Sequence, residues 1–250
     1  MIPQIIHQIW IQGHKNIPIE LKKYHDDCQK INNNFKFILW DNEKIQNFLI
    51  RNYDKKYVDL YNNFKIFAQK ADFARYAILY KYGGIYIDMD MICRKNLSSF
   101  LKYNFFLTVD DPILNSFNKK YLNGIIGTIP NHIIFEFIFK NIFLRKDKLN
   151  DVAYSTGTNL FYDSVQEYKK VHKNDVTIID SEYLHPCSIF QDEKTCPYKC
   201  QNCYIAHTNY SSWSPKLKLF KYVKNNLLLI CLSFIFLIIF IWLIRKKLKY

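Results

Sequence analysis

A helix, a glycine pair and a strand ending in two carboxylates occupy residues 70–90, and no other stretch restricts the possible folds as much. The residues run Lys70-Ala71-Asp72-Phe73-Ala74-Arg75-Tyr76-Ala77-Ile78-Leu79-Tyr80-Lys81-Tyr82, then Gly83-Gly84, then Ile85-Tyr86-Ile87-Asp88-Met89-Asp90. Asp72 and Arg75 stand three apart, so a helix sets them on one face. Gly83 and Gly84 accept the left-handed dihedrals that end a helix sharply. Ile85, Tyr86 and Ile87 favour a strand, whose period of two points Asp88 and Asp90 to one side and Met89 to the other. Two carboxylates at a strand end suit a hard divalent cation, which in turn can hold a diphosphate. Taken singly, each part has an ordinary reading. An Asp-x-Asp is commonly two solvated charges, and an Asp-x-x-Arg is commonly a helix-face ion pair worth ~0.3–0.5 kcal/mol. The order of the parts favours the functional reading.

With 250 residues, 49% of them hydrophobic, the chain is long enough for one α/β domain with a sizeable core. Its net charge of +13 would fit a nucleic-acid binder, but the distribution does not. Residues 216–250 hold eight Lys or Arg and no acid, leaving 27 basic against 22 acidic side chains in residues 1–215. No compact basic and aromatic stripe for RNA or DNA is present. The excess charge instead flanks Leu227 to Ile244, eighteen residues broken only by Ser233 and the weakly polar Cys231. That run meets the lower length for a transmembrane helix, about 17–25 residues, with Trp242 as an interfacial anchor. The expected organisation is therefore a catalytic domain over 1–213, a basic connector over 214–226, a membrane helix over 227–244 and a basic tail over 245–250. A single C-terminal span makes a lipid bilayer a partner and favours tail anchoring with a cytosolic domain, on an endomembrane if the source is eukaryotic. The basic residues on both sides of the span leave its orientation open.

Along the chain, Ile5 to Trp10 and Phe35 to Trp40 read as strands and Pro18 to Asn32 as a helix. Ile45 to Phe67 reads as an amphipathic helix leading into the one with Asp72 and Arg75. Strands follow at Phe105 to Val109, Val176 to Ile179 and Tyr204 to His207, and helices at His132 to Arg145 and Asn159 to Tyr168. No Walker loop, dinucleotide fingerprint or serine elbow is present. Cys187, Cys196, Cys200 and Cys203 cluster, and three states remain open for them: a four-thiolate structural zinc site, a pair of disulfides, or free thiols.

The block from Ala71-Asp72-x-x-Arg75 to Gly83-Gly84-Ile85-Tyr86-x-Asp88-x-Asp90 resembles the core signature of the DXD-containing sugar transferases. These include the fungal initiating mannosyltransferases, the mannosyl-inositol-phosphoceramide synthases and the lactosylceramide galactosyltransferases. The glycosylating domain of large clostridial toxins is a more distant likeness. The resemblance extends to Ile2-Pro3-x-Ile5-Ile6-His7-Gln8-Ile9-Trp10-x-x-Gly13 and, more weakly, to later segments as far as Trp213. It implies a Rossmann-like α/β domain of the GT-A type with a mixed, mostly parallel sheet. The implied activity is metal-dependent, retaining transfer of a hexose from a nucleotide sugar to a glycan or glycolipid. Mannose from GDP-mannose is the first donor on this resemblance, whereas the membrane tether is what argues for a lipid-linked acceptor such as an inositol-phosphoceramide.

Roles follow from the same resemblance. Asp88 and Asp90 would hold manganese or magnesium, with His207 as a further ligand, and Asp72 and Arg75 would join them as catalytic residues. Trp10 would stack on the base, Asp72 and Arg75 would bind donor hydroxyls and phosphate, and Asn123 would lie near the donor sugar. Trp213 would close over the donor. Ser155-Thr156-Gly157-Thr158 stands where the family lines the acceptor side with Thr-Gly-Pro, and Thr158 departs from that pattern. Two other classes remain from the residues themselves: a metal-dependent phosphodiesterase, and an inactive membrane-tethered sugar-binding protein.

Overall fold

The computed structural model describes residues 1–113, 120–191, 195–208 and 210, and scattered positions between 219 and 244. The chain separates into two units, Met1–Asn209 and Tyr210–Tyr250. The strands of the first unit are β1 (Ile5–Ile9), β2 (Lys36–Trp40), β3 (Gly84–Ile87), β4 (Met91–Cys93), β5 (Phe105–Val109), β6 (Tyr121–Thr128), β7 (Thr177–Ile179) and β8 (Ile205–His207). Its helices are α1 (Ile19–Ile31), α2 (Asn42–Asn52), α3 (Lys55–Asn63), α4 (Phe67–Tyr82), α5 (Ile134–Arg145), α6 (Val152–Ser155), α7 (Thr158–Val171), α8 (Ser181–Leu184) and α9 (Cys196–Lys199).

Six strands form one mixed sheet in the order β2-β1-β3-β6-β5-β7. β1 pairs parallel with β2 and β3, β6 runs antiparallel between β3 and β5, and β7 pairs parallel with β5. Both faces are covered, as strand alternation requires. Ile9, Tyr86, Phe105, Leu107 and Ile126 pack into one core with α2, α3, α4, α5 and α7. Ile6, Ile85, Ile87, Phe106 and Ile125 enter a second core with Cys28, Met91, Leu97 and Phe100. A separate two-stranded sheet pairs β4 with β8, setting Met91 opposite His207.

The glycine pair does what its dihedral freedom allows. Gly83 ends α4 at φ 62° and Gly84 starts β3 at φ 94°. A Cβ on Gly84 would stand 2.6 Å from the Ile5 carbonyl oxygen, and one on Gly83 would stand 2.7 Å from the Pro130 nitrogen. Only bare backbone lets β3 start this close to β1. His7 closes the same corner: its Nε2 donates to the Gly83 carbonyl at 3.0 Å and its Nδ1 accepts from the Trp40 indole at 3.2 Å.

Several expectations are corrected. The amphipathic segment 45–67 is two helices, α2 and α3, with extended backbone at Tyr53 and Asp54 between them. Asn52, of weak helix propensity, stands last in α2 before that break, and Asn62 and Asn63 end α3. Asn123 lies on strand β6, for which no strand was read from the sequence, and Gly124 and Gly127 of that strand leave room for the Asp88 carboxylate and the Phe106 ring. The four clustered cysteines form two disulfides, Cys187–Cys196 and Cys200–Cys203, so their sulfurs are engaged and the four-thiolate zinc site is not formed. A third disulfide, Cys28–Cys93, ties α1 to β4.

The expected membrane helix over 227–244 is corrected as well. Among the described residues no helix is long and apolar enough to cross a membrane. Hydropathy is one requirement of a span and an unbroken helix of sufficient length is the other; the apolar run supplies the first, and no helix among the described residues supplies the second. Part of that stretch, Trp242 included, lies outside the described residues. The single-pass anchor, the bilayer as partner, the endomembrane location and the glycolipid acceptor argued from a tether lose their support with it.

Candidate active site

α4 brings Asp72 and Arg75 together as their spacing predicts, whereas β3 ends at Ile87, so Asp88 follows the strand and Asp90 lies in a turn rather than on it. Asp72 and Arg75 lie on the buried side of α4, and Arg75 Nη2 stands 3.1 Å from Asp72 Oδ1 and 3.3 Å from Asp88 Oδ1. Arg75 Nη1 donates to the backbone carbonyl of Asn123 at 2.7 Å, and the guanidinium lies over the Tyr86 ring at 4.4 Å. Asp72 is fully engaged. Its Oδ1 also accepts from Asn123 Nδ2 at 3.0 Å, and its Oδ2 accepts from Thr156 Oγ1 at 2.9 Å. Tyr76, one helical turn beyond Asp72, accepts from Asn123 at 3.0 Å and donates to the Thr156 carbonyl at 3.0 Å. This floor leaves Asp72 and Arg75 about 5% exposed each.

Asp88 sits above that floor at the carboxyl end of β3. Tyr86, two residues earlier on the same face, donates to its Oδ1 at 2.6 Å. A Cβ on Gly124 would lie 2.6 Å from its Oδ2, so the strand beside it is bare where the carboxylate rests. Asp90 follows in the turn to β4, and His207 Nε2, arriving on β8, stands 3.3 Å from Asp90 Oδ1. The Asp90 carbonyl accepts from the backbone nitrogen and hydroxyl of Thr208, which holds the turn against β8. One ligand atom each from Asp88, Asp90 and His207 lie within 4.8 Å of one another.

The electrostatics follow from this crowding. Burial raises the Asp88 carboxyl against the pull of Arg75, and the charge of Asp90 raises it further. Burial pushes Asp72 up to about 6, opposed by Arg75 and by the bond from Thr156. Burial works against the charge of Arg75, but Asp88, Tyr86 and Asp72 more than offset it and hold the guanidinium above its ordinary range. Two acids and an imidazole brought together with one buried arginine behind them form a donor set that fits a divalent cation with oxygen and nitrogen ligands.

The structure thus brings Asp72, Arg75, Asp88, Asp90, Asn123 and His207 into one region. Trp10 follows β1, half-buried, and packs against the cluster of Leu21, Tyr24, Met89 and Ile92, on the Met89 side of the acid-bearing turn. Its indole donates to the Asn16 carbonyl at 3.1 Å. Trp213 lies outside the described residues. Sequence reasoning missed Tyr86, Tyr76 and Gly124 as parts of the site, and it put the segment holding Thr156 on the acceptor side without foreseeing its bond to Asp72. Two were within reach, since Tyr86 shares the strand face of Asp88 and Tyr76 shares the helix face of Asp72.

The family model described as "Glycosyltransferase sugar-binding region containing DXD motif" matches residues 18–107. The chain is 58% identical over 231 residues to "Uncharacterized glycosyltransferase L373" of Acanthamoeba polyphaga mimivirus, covering 92% of this chain and 91% of that protein. It is 34% identical over 142 residues to inositol phosphoceramide mannosyltransferase 2 of Schizosaccharomyces pombe, covering 57% of this chain and 39% of that one. It is 30% identical over 239 residues to the mannosyl phosphorylinositol ceramide synthase SUR1 of Saccharomyces cerevisiae, covering 91% and 56%. The chain therefore spans nearly all of the viral relative and little more than half, or less, of these fungal ones. Among solved structures, the PaToxG glycosyltransferase aligns with TM-score 0.52 at 20% identity, covering 68% of this chain and 70% of that one. The ligand-free glycosyltransferase domain of the YGT toxin aligns with TM-score 0.53 at 10% identity, covering 71% and 80%. At these identities the likeness establishes the fold alone, a mixed α/β fold shared with these glycosyltransferase domains.

Proposed function

The chain belongs to the glycosyltransferases whose sugar-binding region contains a DXD motif, and on that premise we propose that it transfers a hexosyl group, mannose first, from a nucleotide sugar to a hydroxyl-bearing acceptor. The convergence of Asp88, Asp90 and His207 within 4.8 Å at the carboxyl end of β3 carries this reading. Mannose is the first choice because fungal relatives of this chain are named mannosyltransferases.

Hexosyl transfer breaks the bond between the anomeric carbon and phosphate, and negative charge accumulates on the departing diphosphate. Asp88, Asp90 and His207 would hold manganese or magnesium, whose chemistry when bound is to neutralise that charge as a Lewis acid. An imidazole in the set suits manganese better than magnesium. Arg75 acts from beneath, fixing Asp88 through the 3.3 Å contact and keeping the buried acids compatible. Asp72 and Asn123 orient Arg75 and border the sugar end of the donor. Trp10, beside Met89, supplies a flat apolar wall for the base. Preorganised groups of this kind lower the barrier without rearranging during the reaction.

The test is hydrolysis and transfer with a panel of nucleotide sugars, GDP-mannose and UDP-hexoses included, with manganese. The expected result is sugar release from one donor, falling by at least about 100-fold in Asp90→Asn, on the scale of lost electrostatic stabilisers. Turnover of no donor, or full activity in Asp90→Asn, would sink the proposal. Cleavage inside the diphosphate without sugar release would favour the phosphodiesterase instead.

A further inference from the structure

We infer that His185 is a positioning residue for His207, holding its imidazole where it joins Asp88 and Asp90; the inference rests on the cation-binding reading of those three groups. His185 follows α8 and is 2% exposed. Its Nδ1 faces the backbone carbonyl of Asp110, at the end of β5, so Nδ1 carries the proton and donates. Its ring stands edge-on to that of His207, with centroids 5.5 Å apart and planes at 83°. His207 in turn lies 3.3 Å from Asp90. A line of contacts therefore runs from the main sheet through His185 to the ligand imidazole and the acid-bearing turn.

The segment that follows His185 is fixed as well. The buried carboxylate of Asp111 accepts from Ser188 Oγ at 2.9 and 2.8 Å and from the Ile189 nitrogen at 2.8 Å. Cys187 is tied to Cys196. His185 has the properties of a support rather than a filler. Its Nε2 is buried and has no hydrogen-bond partner among the described residues, a desolvation cost that an apolar ring would avoid. The converging ligand atoms come from Asp88, Asp90 and His207, and His185 is not among them. What His185 contributes is a ring against His207 and a bond to the frame. A ligating imidazole depends on such neighbours for its orientation.

The experiment is manganese titration of the full chain, with free ion followed by electron paramagnetic resonance. His185→Phe keeps a ring against His207 and loses the donor to Asp110, whereas His185→Asn keeps a donor and loses the ring. Each is expected to weaken manganese binding about tenfold, the lower end for groups that orient ligands. In a double-mutant cycle, His185→Phe added to His207→Ala should cause no further loss. Wild-type affinity in a folded His185 variant, or additive losses in the cycle, overturns the inference while leaving the cation site standing. Failure of the unsubstituted chain to bind manganese, or unchanged binding in Asp90→Asn, overturns the cation reading and this inference with it. If neither variant folds, imidazole NMR of the unsubstituted chain decides. A single His207 signal shifted by the ring current of His185 supports the inference, and an averaged, unshifted signal overturns it.

Discussion

Gly124 shows how much a missing side chain can set at the scale of one residue. Its Cα faces Asp88 so closely that a methyl group would meet Oδ2 at 2.6 Å. Gly124→Ala is expected to displace that carboxylate, weakening manganese binding at least tenfold while the far-UV circular dichroism stays native, since a strand accepts alanine. Isothermal titration with manganese checks it. His7 makes a different prediction, in pH. It is wholly buried, and burial lowers its pKa from 6.5 to about 4, with the bond to the Gly83 carbonyl opposing and Lys36 adding to the fall. Between those values the unfolded chain binds a proton that the native state does not, so stability is lost as pH falls from 6.5 towards 4. Linkage puts the loss near 2 kcal/mol by pH 5. His7→Gln should be less stable than wild type at pH 7 but should lose about that much less between pH 7 and 5. Urea midpoints at the two pH values measure it, and equal losses in both proteins would remove His7 as the cause.

At the scale of elements, the α4–β3 unit was readable because its information is local. Helix spacing and the glycine turn act within a few residues and placed Asp72, Arg75 and Asp88; β3 ends at Ile87, so Asp90 sits in a turn that strand alternation did not foresee. His207 was reachable only through family resemblance, since nothing near it in sequence announces a partner on β4. Thr156 and His185 were not readable, because what defines them is a contact across the fold: an Asp72 oxygen for one, the His207 ring for the other. The bond of Cys28 was missed for the same reason, although a pair of disulfides among Cys187, Cys196, Cys200 and Cys203 was one of the states left open. Cys28 was not part of the cluster, yet its bond to Cys93 closes 65 residues of chain and anchors the strand that follows Asp90. Chain entropy makes that closure worth about 4 kcal/mol. The double variant Cys28→Ser/Cys93→Ser is expected to unfold at markedly lower urea, with manganese binding weakened in step because β4 carries the acid-bearing turn. Unchanged urea midpoints under non-reducing conditions would show that the pair is not bonded in solution. The apolar run at 227–244 misled for another physical reason: hydropathy adds up along the sequence but does not by itself establish a spanning helix, and none is found among the described residues.

At the scale of the whole molecule, binding and stability should be linked through the same site. A ligand that engages only the folded chain stabilises it by about 2.7 kcal/mol at a hundredfold excess over its dissociation constant. Manganese with the nucleoside diphosphate of the preferred donor should therefore raise the melting temperature, and chelation should return it to the apo value. A melting temperature indifferent to both would leave the site without a ligand. The β4–β8 pairing has a consequence for synthesis on the ribosome. Met91 is translated long before its partner His207, so a nascent chain can present both acids of the turn while the third ligand is still unmade. On the proposed cation reading, metal capture would then mark the end of translation of this domain rather than its beginning, and a growing chain would be kept from holding a nucleotide sugar before the strand that secures it exists.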